Sequence, residues 1–160
     1  KFFMNKLDPQ IKLVWSVSYL FKGIFLSIAV FIFEVLTMKS NFGLGFIPFG
    51  WTSGLVFILS VIASIAIPPF KYKYWNFEVR QEELYLERGI IIRVKTIAPF
   101  RRVQHLDVVQ TIFDRILGLA KLLVYTAGTR GADIIIPGLP LEYAEALRDK
   151  LKNYSVEDAV

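Results

Sequence analysis

The sequence predicts a two-helix transmembrane hairpin followed by a strand-rich barrel or sandwich with a closing C-terminal helix. Three observations carry this reading. Two long apolar stretches, Val14–Leu36 and Ile47–Ile67, stand at the head of the chain. Beyond Lys71 the apolar residues switch to period-two alternation. Beyond Pro140 they return to helical spacing. The expected organisation is residues 1–70 for an N-terminal segment and two spans, about 15–38 and 47–67, with residues 71–160 as one cytoplasmic domain.

A helix rises about 1.5 Å per residue, so about 20 residues cross a hydrocarbon core about 30 Å thick. Both stretches reach that length, and 54% hydrophobic residues with a mean hydropathy of +0.48 agree. The competing reading, a helical hairpin buried in a soluble protein, would leave too little chain to cover two such helices. The first stretch contains Lys22 and Glu34. A charge at mid-bilayer costs a few kcal/mol or more. A span over about Tyr19–Met38 moves both toward an interface, where Lys22 snorkels one way and Glu34 is solvated at the other. They lie roughly 18 Å apart along the axis and cannot pair within one helix. The second stretch opens with Pro48 and Trp51, and Pro68-Pro69 is expected to stop it. Gly23-x-x-x-Ser27 and Ser60-x-x-x-Ser64 are small-residue pairs suited to close approach, within the hairpin or between copies.

Lys1, Lys6 and Lys12 precede the first span, Lys71, Lys73 and Arg80 follow the second, and the connecting loop offers only Lys39. The positive-inside rule then places both termini in the cytoplasm. The first run is too long for a secretory signal peptide, and a second span follows directly. The chain has no cysteine, which excludes disulfides.

Residues 71–160 carry 14 Lys/Arg against 12 Asp/Glu, a mixed balance that removes the electrostatic footprint of nucleic-acid binding. Zinc spacing, a phosphate-cradling glycine loop and a nucleophile elbow are all missing. Trp75, Phe77 and Val79 share one face of a first strand, and Gln81-Glu82-Glu83 turns the chain into a second with Leu84 and Leu86. Arg88-Gly89 turns it again into a strand from Ile90 to Pro99, and a fourth extended run covers Arg101–Val109. Val109, Ile112, Phe113, Ile116 and Leu117 keep helical spacing, with the start near Thr111 and Gly118 placed as a stop. Leu122–Ala127 and Asp133–Pro137 read as strands joined by Gly128-Thr129-Arg130-Gly131. Pro140 opens the last helix, with Tyr143, Leu147, Leu151 and Tyr154 on one face and Glu142, Glu145, Asp149 and Lys152 largely elsewhere.

Several of these segments carry a family resemblance. Tyr74-Trp75-x-Phe77-Glu78-Val79 and Leu84-Tyr85-Leu86-x-Arg88-Gly89-Ile90 come first, then Arg101-Arg102-Val103-Gln104-His105-Leu106-Asp107-Val108. Arg115-Ile116-Leu117-Gly118-Leu119-Ala120, Thr126-Ala127-Gly128 and Ile136-Pro137-Gly138-Leu139 follow in register. Residues 71–152 thus resemble the bacterial pleckstrin-homology-like domain of the membrane-flanked type, in which a two-span hairpin precedes the domain. The resemblance implies a roll of six or seven antiparallel strands plugged by a C-terminal helix, with no catalysis and no cofactor.

The candidate contact residues are Lys71, Lys73, Arg101, Arg102 and His105, which could meet anionic headgroups or a partner. The competing reading has Arg102 and Gln104 satisfying strand-end carbonyls or Asp107. Phosphoinositide-binding relatives carry basic residues on the loop between their first strands; here that loop reads Arg80-Gln81-Glu82-Glu83. His105, the only histidine, supports neither a metal site nor a nucleophilic dyad, and its expected place is partly buried. Arg115 is expected to pair with Asp114 or Asp107. Ile134, Ile135 and Ile136 form either a fully buried strand or an edge open to another chain. The function expected is non-enzymatic protein–protein assembly at the cytoplasmic membrane face, with another copy or a larger membrane protein carrying related domains. Sensing of anionic headgroups is the alternative. Transport would need a polar pathway that two spans do not supply.

Overall fold

A computed structural model describes residues 6–39, 49–127 and 134–157. Ile47, Pro48, the loop before them, Gly128–Asp133 and the Tyr154 side chain lie outside the described residues. The chain divides into two compact units that do not follow chain order: Leu13–Pro69, and a module joining Lys1–Lys12 to Phe70–Val160.

The hairpin unit is formed by α1 (Ile11–Lys39) and α2 (Trp51–Lys73), both long and apolar enough to cross a membrane. Phe25 is 78% exposed and Ile65 70%, which is incompatible with the core of a soluble protein and suited to lipid. Gly23 lies against Ser60, where an added Cβ would meet the serine Cβ at 2.2 Å, so the small-residue pairs do pack within the hairpin. The Ser27 hydroxyl donates to the Ser53 carbonyl at 3.0 Å. Glu34 is not simply solvated. Its carboxylate accepts from the Thr52 hydroxyl and from the Ser53 amide, 3.3 Å away. The N-terminal amides of α2 have no intrahelical partner, and their partial positive charge favours a carboxylate there. The helix also runs through Pro68 and Pro69 to Lys73 instead of ending before them. Proline removes an N–H donor but holds a helical φ, and membrane helices tolerate that loss.

The module contains two three-stranded antiparallel sheets and two helices. β1 (Asn76–Val79), β2 (Glu83–Arg88) and β3 (Val94–Pro99) form the first sheet in that order. A 3-10 turn at Phe100–Arg102 leads into β4 (Val103–Val109), which joins β5 (Leu119–Thr126) and β6 (Ile134–Pro140) in the second. Between β4 and β5 lies the short α3 (Ile112–Ile116), and α4 (Leu141–Glu157) closes the roll. Period-two burial places Leu84 and Leu86 of β2, Leu122 and Val124 of β5, and Ile134 and Ile136 of β6 in one core. From α4 come Ala144, Leu147 and Leu151; Tyr143, expected on that face, is 42% exposed. Leu147 and Leu151 hold the expected face, and Ala144 takes the place of Tyr143 in its first turn.

The core has a contributor with no mark in the alternation. Leu7 and Ile11, ahead of the first span, are buried at 2% and 0% exposure. The Asp8 amide donates to the Gly138 carbonyl at 2.8 Å, and the Tyr72 hydroxyl donates to the Leu7 carbonyl at 3.0 Å. Gly138, at φ +64°, carries no side chain because a Cβ would meet Ile11 at 2.6 Å.

Two local expectations are corrected. Ile90, Ile91 and Ile92 are not in β3: the β2–β3 ladder ends at the Arg88–Val94 pair, and Gly89 at φ +121° turns the chain before them. In α3 the apolar face points outward. Asp114 is the buried residue, because its carboxylate closes a capping box with Thr111 and pairs with Lys121 at 3.1 Å. Arg115 is exposed, so Lys121 takes the role expected of it.

Candidate functional site: an edge-strand groove

β4 is an edge strand: among the described residues it pairs with β5 alone, leaving its other main-chain edge open. The pairing slips between Val103 and His105, a bulge that sets Gln104 outside the ladder. Helix α4 packs on this sheet and lies beside β4. Between them lies a groove of about 380 Å³ lined by Val103, Gln104, His105 and Leu106 from the strand and Arg148, Asp149 and Lys152 from the helix.

The groove is mixed in sign. His105 is exposed, not partly buried; its Nε2 lies 2.7 Å from an Asp107 carboxylate oxygen and its ring 5.6 Å from that of Tyr125. Strand geometry explains this, since residues two apart on β4 share a face. Across the groove, Arg148 donates to Asp149 at 2.9 Å. That hydrogen bond holds the Asp149 carboxyl below the usual carboxylate range and raises the Arg148 guanidinium.

The five basic candidates do not converge on one patch. Arg101 and Arg102 are exposed in the 3-10 turn that enters β4, beside His105. Lys71 and Lys73 lie at the end of α2, over the rings of Trp75 and Tyr74 at 5.9 and 5.7 Å. The register places Asn76 opposite Glu87 and Glu83 opposite Pro99, so the two groups sit at opposite ends of the first sheet. Four strand steps separate those pairs, roughly 13 Å. Ile134 and Ile136 face the core, and Ile135 points outward at 37% exposure on β6, the other edge of the second sheet. Sequence reading missed the α4 half of the groove, because charged residues at helical spacing read as a solvated face.

A hairpin of apolar helices followed by two antiparallel sheets and a closing helix is the build of a membrane-anchored PH-like protein. The chain belongs to the Bacterial PH domain family, matched over residues 21–155, so the match begins within α1 and takes in most of the hairpin. It is similar to the UPF0699 transmembrane protein YdbS of Bacillus subtilis (strain 168), 29% identical over 151 residues that cover 92% of this chain and 89% of that protein. It is also similar to the UPF0699 transmembrane protein YdbT of the same organism, 26% identical over 97 residues. That match covers 60% of this chain but only 19% of YdbT, a much longer protein. No solved structure matches the chain significantly.

Proposed function

We propose that this chain is a non-enzymatic, membrane-anchored docking module that assembles with another protein at the cytoplasmic face of a bacterial inner membrane. Both termini then lie in the cytoplasm, as the flanking lysines direct. The observation that carries the reading is the groove between the open edge of β4 and α4. An extended segment laid there gains main-chain hydrogen bonds from β4, while Arg148, Asp149, Lys152 and His105 select its side chains. Mixed charge suits a peptide with both signs better than a uniformly anionic headgroup. A second copy is one candidate partner, and a longer membrane protein containing a related region, of the YdbT kind, is the other. The headgroup-sensing alternative loses ground because Lys71 and Lys73 lie a sheet length from Arg101, Arg102 and His105.

The test is the intact mass of full-length protein extracted from its native membrane in mild detergent. The expected result is a complex, with itself or with a second protein, that is lost in Arg148→Glu/Lys152→Glu and kept in Arg101→Glu/Arg102→Glu. A monomer retaining anionic lipid, released by the Arg101/Arg102 reversal, would overturn the proposal in favour of headgroup sensing.

A further inference from the structure

The module carries two isoleucine-rich protrusions, and both stand where the chain passes between module and spans. The first is the β2–β3 tip, where Ile90, Ile91 and Ile92 are 43%, 95% and 77% exposed. In the ladder, Glu87 opposes both Asn76 and Lys95, so the tip lies at the sheet end where β1 begins, close after Lys73 at the end of α2. Arg88 and Arg93 fasten it there, their guanidiniums 5.7 Å from the ring centre of Trp75 and 5.9 Å from that of Tyr74.

The second protrusion is α3, with Ile112 78% and Ile116 74% exposed. It connects to the end of β5 where Leu119 pairs with Pro140 and Gly118 accepts from the Leu141 amide. Close by on β6, Gly138 receives the Asp8 amide and faces Ile11, where the chain enters α1. Tyr72 binds Leu7, which brings the two entry points together on one side of the module.

We infer that the Ile90–Ile92 tip and the Ile112/Ile116 face of α3 seat in the headgroup–acyl interface of the bilayer that the chain's own helices span. Apolar groups at that depth are favoured when basic residues border them and the lipids are anionic. Arg88, Arg93 and Lys95 border the tip against the single acid Glu87, and Arg115 adjoins the α3 isoleucines. Tyr74 and Trp75, the ring types that concentrate at membrane interfaces, stand beside the tip. A second copy fits less well, since a symmetric contact would set these basic borders against each other. The surface is distinct from the β4–α4 groove, and it orients the module.

The chain has no cysteine, so single cysteines report cleanly. Full-length Ile91→Cys, Ile116→Cys and, at the opposite turn of the first sheet, Gln81→Cys are labelled with a fluorophore in phosphatidylcholine/phosphatidylglycerol vesicles. Each is quenched in turn by iodide and by nitroxide-bearing lipid. Labels at 91 and 116 are expected to yield to the lipid quencher and to resist iodide several-fold better than the label at 81. Iodide reaching either site as readily as position 81 overturns the inference. So does shielding from both quenchers, which would mean that protein covers the site. All three positions are exposed, and an unfolding midpoint equal to that of the unlabelled protein verifies that each variant is folded.

Discussion

Two runs of three isoleucines meet opposite fates in this chain. Ile134 and Ile136 are fully buried in β6 with Ile135 turned out, whereas Ile90–Ile92 project from a hairpin tip with Ile91 95% exposed. The residues are the same, so composition and β-propensity do not decide between them. Partners do. β6 pairs with β5 in a register that sends alternate side chains into the core, while the ladder below the first run closes at Arg88–Val94 and leaves nothing opposite it. The same three residues thus form a buried strand or an exposed tip according to what lies opposite them.

The largest expected effect breaks the comparison outright. Ile136→Ala should lower stability by about 2–5 kcal/mol through lost burial and a residual cavity. Ile91→Ala should stay within about 0.5 kcal/mol, as exposed positions do. Thermal unfolding of the two variants in detergent reads both. Equal losses would mean that the tip is packed in the folded protein.

Each run also has a glycine that fixes its setting, and these give the next effects. Gly138→Val would place a side chain against Ile11 and force a backbone at φ +64° on a branched residue. A destabilisation of about 1–3 kcal/mol is expected from overpacking, with Leu7 and Ile11 released from the module. Protease sensitivity ahead of α1 would report that release, and an N-terminal segment as protected as before would refute it. For the same reason a fragment starting at Lys71 should fold poorly, since it lacks two fully buried side chains. Gly89→Ala acts on the other run: a Cβ there meets the Ile92 carbonyl oxygen at 1.8 Å, at φ +121°. Strain of about 1–3 kcal/mol should reshape the tip while the β6 core keeps its amide protection, measured by hydrogen exchange.

These contrasts mark where the sequence was legible. The spans, six strands and the closing helix follow from hydropathy and periodicity, because each element's own pattern states which face it buries. The docking of residues 6–12 does not, because it depends on a contact with Gly138 far along the chain. Asp8-Pro9 was the available local signal: Asp8 caps the start of α1, its carboxylate 2.8 Å from the Gln10 amide, with proline at the first turn. The inversion of α3 escaped because helical spacing states a period but not which side is buried. There a single capped and paired carboxylate, Asp114, outweighs two isoleucines. The candidate groove was half legible: Arg101 to His105 stood out as a cluster, while Arg148, Asp149 and Lys152 became part of a site only once α4 lay beside β4.

The smallest effect asks what holds the exposed run in place, given that burial does not. Arg88 and Arg93 lie over Trp75 and Tyr74, and such contacts at accessible positions contribute about 0.5–1 kcal/mol each. Arg88→Gln/Arg93→Gln should therefore lower stability by no more than about 1–2 kcal/mol, a few degrees in the unfolding midpoint, yet speed amide exchange through Gly89–Val94 in detergent. In anionic vesicles the same variant should weaken the tip's lipid contact as well, since it removes the charges that border the isoleucines. Unchanged exchange in both settings would mean that the ladder end at Arg88–Val94 alone fixes the tip. The two isoleucine runs would then differ only in register, with the aromatic–arginine contacts as bystanders.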